Sequence, residues 1–112
     1  MQAFAGRRFK AATQSLAMHF VALCLDKPDA LAVRLENREA HLAFIAEKGP
    51  AVRLGGPFLD AEGRMCGSMI IYDCPSEAAV RAIMAEDPYA KAGLFASVEL
   101  RAFRPVVGVS LA

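Results

Sequence analysis

The residues best equipped for chemistry lie close together between positions 34 and 42. Arg34, Arg38 and His41 recur at spacings of four and three. That spacing sets them side by side on a helix. Leu31, Leu35, Leu42 and Ile45 form an apolar stripe in the same frame. Arg38 falls on this stripe, and Arg34 and His41 lie at its edge. Ordinary amphipathic helices keep such groups on the far side. Two guanidiniums and an imidazole at a core's border suit a site that holds an anionic oxygen and moves a proton. The plainer alternative is that the arginines snorkel to water and His41 is a hydrogen-bonded boundary histidine.

A second feature is Asp87-Pro88-Tyr89. At a helix C-terminus a carboxylate meets the unfavourable end of the dipole. Asp87 is then either a solvated turn residue or one held in place to orient a base. A carboxylate that accepts from one imidazole nitrogen leaves the other free to take or give a proton. His41 is the natural partner, because His19 sits in an apolar run without polar company.

Other chemistries are poorly supported. Cys24, Cys66 and Cys74 are odd in number and match no zinc spacing. They read as small hydrophobes, and unpaired thiols suggest a reducing compartment, hence the cytoplasm. Two separated histidines make a metal site improbable. No nucleophile elbow, P-loop or dinucleotide-binding glycine pattern is present. A net charge of +1 and the absence of tryptophan argue against a nucleic-acid surface. Mean hydropathy is +0.31, yet charges or turn residues interrupt every apolar stretch before the ~18 residues a spanning helix needs. A chain of 112 residues, 55% hydrophobic, is one globular domain.

The elements that must position these groups follow from the pattern. Residues 1–17 are basic, carry no acid and read as an N-terminal extension outside the fold. Residues 18–112 form the domain. Strands are predicted over 18–25, 51–59, 65–72 and 94–103. A long helix is predicted over 28–48, stopped by Gly49-Pro50. A second begins at Ser76 and ends near residue 86 or 87, before Pro88. Val98, Leu100 and Ala102 alternate with polar residues, which predicts one buried and one wet face. Gly55-Gly56-Pro57 lies within the second strand and marks a bulge, an edge or a close backbone approach. The order β-α-β-β-α-β predicts an α+β, ferredoxin-like plait with a four-stranded antiparallel sheet. Both helices then cover one face, and the bare face points to a second copy of the chain.

From Met18 to Gly108 the chain resembles the YciI-like proteins, or YCII-related domain. The matching residues are Arg38-Glu39-Ala40-His41-Leu42, Gly55-Gly56-Pro57, Gly63 with Gly67-Ser68, and above all 87–95, DPYAKAGLF, followed by 98–103, VELRAF. One departure is Ala102, where the family often has a proline. The resemblance implies a dimeric α+β barrel and a pocket in which a histidine and an aspartate are the catalytic pair. Those positions fall on His41 and Asp87. Together with the residues' own chemistry it leads to a small enzyme that uses no cofactor and no metal. His41 and Asp87 would be its acid–base pair, with Arg38, Arg34, Gly56, Pro57 and Tyr89 as substrate-binding residues. Its substrate would be a small anionic or cyclic molecule, and its reaction elimination, isomerisation or hydrolysis. The alternative is a non-catalytic binding or structural homodimer. Gly56 and Pro57 are expected to form pocket wall.

Overall fold

The computed structural model describes residues 18–108; the extension predicted over 1–17 lies outside them. The elements are β1 (Met18–Asp26), α1 (Leu31–Glu47), β2 (Val52–Leu59), β3 (Met65–Cys74), α2 (Glu77–Ala85), α3 (Pro88–Lys91) and β4 (Phe95–Phe103). The four strands form one sheet in the order β2-β3-β1-β4. Every neighbouring pair is antiparallel. This is the ferredoxin-like α+β plait expected from the element order. Among the described residues no helix is long and apolar enough to cross a membrane.

The core follows from the period-2 alternation of the central strands. Phe20, Ala22 and Cys24 of β1 join Ile70, Tyr72 and Cys74 of β3 and Val80 of α2 in one buried cluster. Burial pushes the Cys24 thiol up to about 12, with the Asp87 carboxylate adding to the effect. It is a packing group rather than a nucleophile. All three cysteines are free.

β1 and β3 approach so closely that one position admits only glycine. A Cβ on Gly67 would sit 2.5 Å from the Cys24 carbonyl oxygen and 3.0 Å from the Phe58 ring. Gly67→Ala must therefore push two central strands apart. A loss of about 1–3 kcal/mol is expected, read as a lower urea midpoint. An unchanged midpoint would show that the strands yield freely here.

Three expectations are corrected. The first helix begins at Leu31, not at Pro28, because Asp29 takes a left-handed conformation (φ 55°) that no helix tolerates. β4 lies at an end of the sheet, and its predicted buried face is largely exposed. Only Phe95 and Leu100 pack on the core, while Val98 is 40% exposed. A short third helix, α3, starts directly after Asp87.

Candidate active site

The local structure around Asp87 differs from the expectation of a carboxylate at the end of α2. Asp87 is the N-cap of α3, and Pro88 occupies the first helical position. Its Oδ1 accepts from the Tyr89 backbone N–H at 2.9 Å. The backbone thus aims the carboxylate inward, and only 4% of the residue is exposed.

α1 brings His41 to meet it. His41 Nδ1 lies 2.8 Å from Asp87 Oδ1 and 3.0 Å from Oδ2. A carboxylate can only accept, so Nδ1 carries the hydrogen and donates. The Nε2 lone pair is left for other work. The His41 ring stacks on the Tyr89 ring, with centroids 3.9 Å apart and planes inclined by 14°. Two contacts from adjoining residues, 87 and 89, therefore hold one imidazole.

Arg34 does not lie at the edge of an apolar stripe. It is among the most deeply buried side chains. Its Nε and Nη2 donate to the two Asp26 oxygens at 2.7 and 2.9 Å. Nη2 also donates to Ser68 Oγ at 2.9 Å. The guanidinium carbon lies 4.6 Å from the Tyr89 ring centroid. Burial works against the Arg34 charge, but Asp26 more than offsets this and holds the group above its ordinary range. Burial also pushes the Tyr89 phenol up, against the pull of Arg34.

The helix is rotated from the frame that its leucines suggest. Leu35 and Leu42 are 54% and 47% exposed, whereas Arg34 and His41 face the sheet. Asp26 at the end of β1 supplies the reason. An ion pair with both oxygens engaged makes burial of Arg34 possible. Arg38 is exposed instead, and among the described residues it forms no ion pair.

These groups surround a cavity of about 130 Å³ between α1 and the β2 side of the sheet. Arg34, Arg38, His41, Tyr89 and Ser68 line it together with Gly55, Gly56 and Pro57. All but one of the site residues expected from sequence share this wall. The exception is Asp87, which lies behind His41. A Cβ on Gly56 would meet nothing within 4 Å, so its glycine leaves open space rather than admitting close packing. Among the described residues no group of three or more histidines, cysteines or acids is gathered for a metal ion.

Asp26 and Ser68 are site residues to which the sequence pattern assigns no role, Ser68 entering only as part of the family resemblance. Ser68 had a signal: it shares a strand face with Ile70 and Tyr72, where a polar side chain is out of place. Asp26 had a weaker one, since it closes an apolar strand and reads as a turn residue.

The YCII-related domain profile matches residues 18–104. A Haemophilus influenzae protein of unassigned activity is 32% identical over 97 residues, which is 80% of this chain and 99% of that protein. The solved 5-chloro-2-hydroxyhydroquinone dehydrochlorinase of Burkholderia phenoliruptrix, in complex with 2,5-dihydroxybenzoquinone, is 34% identical. It matches with a TM-score of 0.74 over 78% of this chain and 94% of its own. A candidate antibiotic biosynthesis monooxygenase from Bacteroides thetaiotaomicron shares the fold at 17% identity and a TM-score of 0.54, over 84% of this chain and 94% of its own. The match over residues 18–104 and the full-length relatives above 30% identity lead to one conclusion: the chain belongs to the YCII-related domain family.

Proposed function

We propose that the protein is an acid–base enzyme acting on a small anionic or cyclic organic molecule, by elimination, isomerisation or hydrolysis. One observation carries this reading: the Asp87–His41 hydrogen bond sits behind a cavity whose rim holds Arg38, a cation with no ion pair among the described residues. Asp87 fixes the tautomer and ring orientation, Nε2 takes the proton, and Arg38 draws in and holds an anionic oxygen. Tyr89 keeps the imidazole plane in place, and Gly56 and Pro57 form the opposite wall. The resemblance to a dehydrochlorinase supports proton abstraction followed by loss of a leaving group.

The test is chloride release from 5-chloro-2-hydroxyhydroquinone, run beside solvent deuterium uptake by a panel of small hydroxylated cyclic ketones. Turnover or exchange by the wild type, lost in His41→Ala, is the expected result. Failure on every member, or equal rates in the variant, overturns the reading in favour of a binding module.

The same proposal includes a homodimer. Val21, Leu23, Leu25 and Met69 lie on the sheet face that none of the described helices covers, with Leu54 beside them on β2. Leu25 and Leu54 are 51% and 49% exposed. A second copy seated here should bury at least ~1,000 Å². Sedimentation should give a dimer at micromolar concentration; a stable folded monomer would reject this part. The three free thiols favour a reducing compartment, and the cytoplasm is the proposed location.

A further inference from the structure

Ser68 sits on the core face of β3 and is 4% exposed. Its Oγ lies 2.9 Å from Arg34 Nη2. A guanidinium has hydrogens to give and no lone pair to offer, so the serine oxygen is the acceptor in that bond. The hydroxyl hydrogen must find another partner. Among the described residues Ser68 Oγ has no other hydrogen bond. Arg34 cannot swing away to relax the arrangement, because two of its nitrogens are fixed on Asp26. Ser68 lines the same cavity as His41 and Arg38. Arg34 therefore does not spend its charge on a ligand. It holds an oxygen that lines the cavity and whose O–H has no acceptor among the described residues.

We infer that Ser68 determines specificity by donating a hydrogen bond to an oxyanion of the ligand, of the phenolate or enolate class. This rests on the acid–base reading proposed above. When His41 Nε2 takes a proton from a carbon beside a carbonyl, the C–H electron pair becomes a C=C bond. The carbonyl π pair moves onto oxygen. Ser68 O–H meets that new charge without itself losing the proton. A donor already aimed where charge develops needs no reorganisation at the moment of reaction.

The test uses 4-nitrophenolate, followed by its absorbance, and the neutral 4-nitroanisole as its uncharged counterpart. Wild-type protein should bind the phenolate saturably. Ser68→Ala should weaken that binding by roughly 10- to 100-fold, the value of one hydrogen bond to a charged group. Binding of the anisole should change less than about threefold, and Ser68→Thr, which keeps the hydroxyl, should restore most of the phenolate affinity. Equal losses for both probes would show that the alanine merely loosens Arg34, and would overturn the inference. So would unchanged phenolate binding, or no saturable binding by the wild type. Neither probe is turned over, so these outcomes are independent of whether His41→Ala abolishes reaction.

Discussion

His41→Ala is expected to lower kcat/KM by roughly 10²–10⁴-fold, the usual value of a positioned acid or base. Asp87→Asn should lower it in the same direction, by a different route. The amide can turn its NH₂ group toward Nδ1, which drives the imidazole to the other tautomer and removes the free lone pair at Nε2. The two variants should not be additive, because each disables the same proton transfer. Stability separates the roles further. His41 stacks on Tyr89 and is 8% exposed, so its removal also takes a partner from a buried carboxylate. A cost of about 1–3 kcal/mol is expected, enough to lower Tm without unfolding the chain. A folded His41→Ala protein that keeps its turnover would make the histidine structural.

The fold was legible because its signals are local and periodic. The strand-length apolar run of β1, the glycine-proline stop after α1 and the serine cap of α2 all act within a few residues. The N-terminal boundary of α1 was not legible, since Pro28 suits a first helical turn, while Asp29, a residue type that tolerates the left-handed region, takes that conformation instead and delays the helix to Leu31. The pair His41 and Asp87 stood out from spacing and resemblance together. The local reason for Asp87 was misread: Asp-Pro is an N-cap followed by a first-turn proline, and that pattern starts a helix as readily as it ends one. Arg34 is the clearest failure. Leucine periodicity rotates α1 by the wrong amount, because one buried bidentate ion pair outweighs two leucines left in contact with water. No periodicity argument contains Asp26, which is eight residues earlier in the chain and belongs to a different element.

Arg34→Met should therefore be the most damaging single change for the fold. It leaves the Asp26 carboxylate, whose side chain is 5% exposed, without its cation. Breaking a buried pair from one side costs about 3–5 kcal/mol, against a total stability of roughly 5–15 kcal/mol for a domain. For a domain of this size the loss corresponds to a fall in Tm of more than about 10 °C. Arg34→Lys should rescue little, because one ammonium cannot span both Asp26 oxygens and Ser68 together. The double variant Arg34→Met with Asp26→Leu supplies the discriminating arm. Apolar groups of similar volume can replace a buried ion pair at little cost, so Tm should recover most of the loss. Ser68 then has no donor to fix it, and 4-nitrophenolate affinity should stay low in the restored fold. Recovery of stability without recovery of binding is the expected split, and thermal scans with probe titrations on the same samples read both. If single and double variants are equally unstable, the pair is not what holds Arg34 inside, and rotation of α1 must have another cause.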